Sequence, residues 1–174
     1  MSTSYYTKEQ RIIHAMQQDN YAMFDGDKDD ALDYVETCLK SFVNYANAVL
    51  NQVQQEPIIQ ARYDGEELRD KRKQLDDIRT TYHNTAIGGV DKLNRLCKHY
   101  KLEPWANIDT SDRYNVTEFV GNYIGETYGM GANMSMDEIT LRITKPYDAQ
   151  KIHENIEDMV SQNENMLIQE GPEL

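Results

Sequence analysis

Apolar side chains recur along most of this chain in steps of three and four, the spacing that gathers them on one face of a helix. The first such stretch is residues 8–18, where Ile12, Ile13 and Met16 share a face. The second starts near Asp29 and runs through Ala31, Val35, Cys38, Phe42, Tyr45, Val49 and Val53, a stripe of about six turns. Residues 54–64 then hold Pro57 ahead of an Asp64-Gly65 step. This pair disfavours helix and suits a turn, so the chain is expected to reverse there. Residues 66–100 supply the returning arm, with Leu75, Ile78, Tyr82, Ala86, Val90, Leu93, Cys97 and Tyr100 on one stripe. Gly88 and Gly89 interrupt it at about 1 kcal/mol each relative to alanine, which predicts a kink or a close helix crossing in an otherwise continuous helix.

After this hairpin the pattern shortens. Residues 101–112 contain Pro104 and the single tryptophan, Trp105, and read as a loop anchored by that ring. Asn115 followed by Glu118 has the form of a helix start, and Phe119, Val120, Tyr123 and Ile124 give that short helix an apolar face. Residues 128–133 read as a glycine-bearing link. Ile139, Leu141 and Ile143 then alternate, which predicts a short strand or extended segment near 138–144. Pro146 suits a first helical position, and Ile152, Ile156, Met159 and Val160 continue a last helix. The predicted fold is all-α: an irregular helical bundle on a long antiparallel hairpin, one domain over 5–168, with a flexible acidic tail at 169–174.

Composition narrows the function classes. The 174 residues carry 30 acidic and 18 basic side chains, for a net charge of −12 that opposes contact with nucleic acid or anionic lipid. The start MSTSYYTKEQ has no basic region followed by an apolar run, and no stretch reaches membrane-spanning length, which leads us to expect a cytoplasmic protein without membrane association. Cys38 and Cys97 each fall among apolar residues at helical spacing, as two buried thiols do.

His83-Asn84-Thr85-Ala86-Ile87, Leu93-Asn94-Arg95-Leu96-Cys97, Glu103-Pro104, Asp112-Arg113 and Phe119-Val120-Gly121 together resemble an uncharacterised helical family of Gram-positive bacteria and their mobile elements, a domain of unknown function. The resemblance covers roughly residues 70–125. It implies a helical fold and a bacterial cytosolic setting, and it brings no activity, cofactor or catalytic residue with it.

Three groups of residues carry candidate chemistry. Asp25, Asp27, Asp29, Asp33 and Glu36 stand at positions 1, 3, 5, 9 and 12 of a calcium-loop register. The glycine that the turn needs at position six is Asp30, however, and helical periodicity has begun by Ala31, so acids complementing a helix dipole are the simpler reading. Asp30, Asp33 and Glu36 with Glu154 and Glu157 form a second acidic set, whose spacing on facing helices would suit magnesium and attack on a nucleotide phosphate. On the third helix His83, Asn84, Asn94 and Arg95 are the candidate binding residues. His14, His99 and His153 lack ligand spacing to His83, which favours a structural histidine, and the two asparagines read as interhelical hydrogen-bonders. The most basic run, Arg69-Asp70-Lys71-Arg72-Lys73, lies in a span from Arg62 to Arg79 where six basic residues alternate with six acidic ones, the pattern of a solvated helix.

These features predict a non-enzymatic helical protein without a cofactor, whose hairpin mediates self-association, as a homodimer, or docking to a protein partner. The alternative is a hydrolase acting on nucleotides with bound calcium or magnesium.

Overall fold

Thr7 opens the first helix. Its hydroxyl accepts from the Gln10 amide at 3.1 Å while the Gln10 side chain accepts from the Thr7 amide at 2.9 Å, a reciprocal capping box. The computed structural model describes residues 7–127 and 149–170, with side chains to residue 162. The segment near 138–144, the helix start expected at Pro146 and residues 171–174 lie outside the described residues. Five α-helices are described: α1 (Lys8–Gln18), α2 (Lys28–Arg62), α3 (Gly65–His99), α4 (Arg113–Thr127) and α5 (Ala149–Glu170), with a short 3₁₀ turn at Ala22–Phe24. The described residues contain no strand, and the chain is all-α.

α2 begins under a cap from Asp27, whose carboxylate accepts from the amides of Asp29 at 2.9 Å and Asp30 at 3.2 Å. The stripe from Ala31 to Val49 is buried, as the periodicity predicts. The expected turn at 54–64 is corrected: α2 continues through Pro57 to Arg62 and the chain reverses only at Tyr63 and Asp64. Proline costs the helix the bond to the Val53 carbonyl, but that carbonyl belongs to one turn of a helix held from outside. Ile59 buries its side chain two residues on, and Arg72 of α3 grips Glu56 at 2.6 Å. The Asp-Gly step does make the turn, with Gly65 in the left-handed region at φ +53°.

α3 is continuous across Gly88 and Gly89. A Cβ built on Gly88 would meet nothing within 4 Å, so the expected close crossing at that glycine is corrected as well. The helix closes on Lys101 at φ +60°, with the amide of Leu102 reaching the Cys97 carbonyl at 2.8 Å and that of Lys101 reaching Lys98 at 3.2 Å, a Schellman closure. α4 starts two residues before the predicted Asn115, because Asp112 caps it by accepting from the Tyr114 amide at 2.9 Å.

The chain packs as two compact units. One consists of Met1–Leu39, Val90–Ala106 and Ala149–Leu174. There α1 lies against α5, and Ile12, Ile13, Met16, Val35, Leu93, Leu96, Ile152 and Ile156 form the core. Trp105 anchors the loop after α3, as predicted, with its ring buried and its indole N–H donating to Glu9 at 3.2 Å. The other consists of Lys40–Gly89 and Asn107–Asp148. Within it the arms of the hairpin are antiparallel: Tyr45 meets His83, Gln52 meets Arg79 and Glu56 meets Arg72, the numbers rising on one arm as they fall on the other. α4 packs on this pair through a 2.6 Å hydrogen bond between the Tyr45 and Thr117 hydroxyls and through Phe119 and Tyr123, which meet the Phe42 ring edge-on.

Candidate functional site

The calcium-loop register is not built as a loop. α2 is helical from Lys28, so Asp29, Asp33 and Glu36, spaced i, i+4 and i+7, are strung along one side of a helix over about two turns rather than wrapped around a single ion, and Asp27 is engaged in capping it. The second acidic set is likewise not gathered. Glu36 is buried and hydrogen-bonded to Nδ1 of His153 at 2.7 Å, while Glu154 and Glu157 are exposed on α5. Among the described residues no three His, Cys, Asp or Glu side chains converge in a group that would hold a metal ion.

Asp30 and Asp33 instead border a cleft of about 350 Å³, shared with Phe24, Tyr34, Thr37, Cys38 and Lys92. The spacing is helical: Asp30, Tyr34 and Cys38 form one row along α2 and Asp33 and Thr37 the next, while α3 contributes Lys92 from the opposite side. Tight hydrogen-bonded turns hold the chain on either side of Phe24, with Asn20 and Tyr21 before it and Asp25 after it in the left-handed region at φ +51°, +56° and +53°. They bring the Phe24 ring edge-on to Tyr34, with centroids 5.4 Å apart. Burial pushes the Cys38 thiol up to about 11, against the pull of Lys92 and Arg95, so it is a protonated wall of the cleft and no nucleophile at neutral pH. Burial also raises Tyr34, with Cys38 adding to the rise and Arg95 opposing it.

The four α3 candidates separate. Asn94 is a clamp: its carboxamide donates to the Ala106 carbonyl and accepts from the Ala106 amide, both at 3.0 Å. It ties a helix to a loop backbone rather than to a second helix, which corrects the interhelical reading. Arg95 is exposed, and its charge acts on Tyr34 and Cys38. Asn84 is exposed, and its side chain opposes the lowering of the His83 pKa. His83 is buried edge-on against Tyr45, with centroids 5.3 Å apart, and its pKa is lowered first by burial and then by Arg113 and Arg79. Its Nε2 is buried and finds no protein partner.

The position of His83 exposes an error in reading α3 as one stripe. Arg79, His83, Ala86, Val90, Leu93 and Cys97 also follow three-four spacing, and in the second unit it is Arg79 and His83 that face α2. Ile78 and Tyr82 stand aside from this row and are 46% and 38% exposed, with Leu75 half-buried beside them. Leu93 and Leu96, which repeat Leu75 and Ile78 after about five helical turns, are fully buried. The apolar row is thus covered at its C-terminal end and open at its N-terminal end.

The model of one protein family, described as "Protein of unknown function (DUF3232)", matches residues 2–131. The chain belongs to this family. The match extends the resemblance first seen at residues 70–125 back to the N-terminus, so α1, the 3₁₀ turn and the whole hairpin are DUF3232 structure. No curated protein and no solved structure matches the chain. No helix among the described residues is long and apolar enough to cross a membrane.

Of the residues lining the cleft, the sequence reading singled out Asp30 and Asp33 and missed Lys92, Tyr34 and Phe24. Lys92 is one exposed lysine among many, and nothing local marks it as facing two carboxylates.

Proposed function

We propose that this DUF3232 protein is a self-associating helical module, and that two copies meet through the open row of α3. The exposure of Ile78 and Tyr82, one turn apart beside Leu75, carries this reading. Ile58 of α2, 42% exposed, adds apolar surface to the same hairpin. Charge favours a second copy as the occupant. The whole chain carries −12, whereas residues 62–79 hold six basic and six acidic side chains and are neutral. Two copies of an acidic chain repel least where each is neutral, and alternating signs offer pairs across a two-fold axis.

Sedimentation or light scattering tests it. The wild type is expected to be a dimer at micromolar concentration and to tighten with added salt, which screens the remaining negative charge. Ile78→Asp combined with Tyr82→Lys, both at exposed positions, is expected to give a folded monomer. A wild type that is monomeric at every concentration and salt, or a dimer indifferent to this pair of changes, overturns the reading.

A further inference from the structure

We propose that the cleft between α2 and α3 in the first unit binds a small zwitterion, a free α-amino acid with an apolar side chain. Asp30 and Asp33 line one side and Lys92 the other, yet among the described residues neither carboxylate closes onto that ammonium. Opposite charges on neighbouring helices ordinarily collapse into an exposed pair worth little. Here they are held on either side of about 350 Å³, at the small end of the volumes that ligand sites occupy.

The charge pattern selects the ligand class. A metal ion would meet two carboxylates but also Lys92. A phosphate would meet Lys92, with Arg95 close by, but also two carboxylates. Only a ligand with both signs gains from both walls: its ammonium at Asp30 and Asp33, its carboxylate at Lys92. The rest of the lining fits the remainder of such a molecule. Phe24 and Tyr34 present paired rings, Cys38 an uncharged thiol, and Thr37 a hydroxyl. The Phe24 ring is held in place between non-glycine residues in left-handed conformation, Asn20 and Tyr21 before it and Asp25 after it. None of these residues belongs to the open row of α3, so the cleft is independent of self-association.

The test is amide NMR of the full chain titrated with free L-leucine and L-phenylalanine, each beside its N-acetyl and its carboxamide derivative. The free amino acids are expected to shift Tyr34, Thr37, Cys38 and Lys92 with a dissociation constant in the micromolar to millimolar range. Each capped derivative, having lost one charge, is expected to bind about tenfold more weakly or worse. Asp30→Asn with Asp33→Asn, and separately Lys92→Glu, are expected to abolish the shifts while leaving the spectrum of the core unchanged, since all three side chains are exposed. No shift at these residues with any free amino acid at millimolar concentration overturns the proposal. Equal binding by a capped form, or by either charge variant, overturns it too.

Discussion

Trp105 donates its indole N–H to Glu9 across 3.2 Å, joining two buried side chains 96 residues apart. The contact does not offset the cost of burying the carboxylate. Burial raises the Glu9 pKa above 4.5 despite the opposing hydrogen bonds from its own backbone, Trp105 and Thr7 and the charge of Lys8. A raised native pKa means that the folded state holds a proton more tightly than the unfolded one. Its stabilising contribution is complete below the unfolded value of 4.5 and is lost as pH rises through the native value. Glu9→Gln keeps an oxygen to accept the indole bond and never ionises. It is therefore expected to be more stable than wild type at neutral pH, with the advantage shrinking as pH falls toward 4.5. Urea unfolding followed by the fluorescence of the single tryptophan measures this. Trp105→Phe, which strands Glu9, is expected to cost about 1–3 kcal/mol.

His83 should give the opposite slope. Burial, Arg113 of α4 and Arg79 of α3 all lower its pKa from 6.5, and only the Asn84 side chain opposes them, while Tyr45 of α2 closes the remaining side. The unfolded chain then binds the proton first. Stability is expected to be intact above 6.5 and to decline as pH falls from 6.5 through the lower native value. In His83→Gln this part of the pH dependence should vanish. Comparing the urea midpoints of the two proteins from neutrality downward isolates it from every other titrating group, and parallel curves would contradict the assignment.

Asn94 offers a test of the clamp on the loop. Asn94→Ala removes both bonds to Ala106 and is expected to cost about 1–3 kcal/mol. Asn94→Asp retains an acceptor for the Ala106 amide but sets a carboxylate oxygen against the Ala106 carbonyl, so it should be destabilising as well. Faster hydrogen exchange at the Ala106 amide in the alanine variant, with little change in exchange at the middle of α4, would locate the loss.

What the sequence made legible is what lies within a helical turn or two. α1 was readable because Ile12, Ile13 and Met16 share its face, while the Thr7–Gln10 capping box that fixes its start was a local signal left unused. Both cysteines and the stripe from Ala31 to Val49 are buried for the same reason. The end of α2 was misread because Pro57 is a local signal, while the Glu56–Arg72 bridge comes from the next helix and the burial of Ile59 shows only in the packed chain. The face of α3 was misread because two rows of three-four spacing share Ala86, Val90, Leu93 and Cys97, and only packing shows that Arg79 and His83 continue the inner one. Among the candidate site residues, Asp30 and Asp33 do border a cleft, but Lys92 joins them from about sixty positions away, and no local pattern announces that.

Gly88 and Pro57 are two places where the helices of the hairpin carry residues of low helix propensity. A Cβ at Gly88 would stand in open space, so Gly88→Ala meets no clash and limits the freedom of the unfolded chain. The gain is expected to be about 1 kcal/mol. Pro57 is exposed inside α2, and Pro57→Ala restores an amide to bond the Val53 carbonyl. Its ceiling is the difference of about 3 kcal/mol between proline and alanine in a helix interior, reduced because proline also stiffens the unfolded state. The two sites lie on different helices, far apart along the hairpin, so the double variant is expected to be additive to within about 0.5 kcal/mol. Thermal and urea unfolding of the single and double variants checks this. A loss of stability in Gly88→Ala would show that the space beside that glycine is needed by something that approaches it, and a second copy docked along α3 would be the first thing to test.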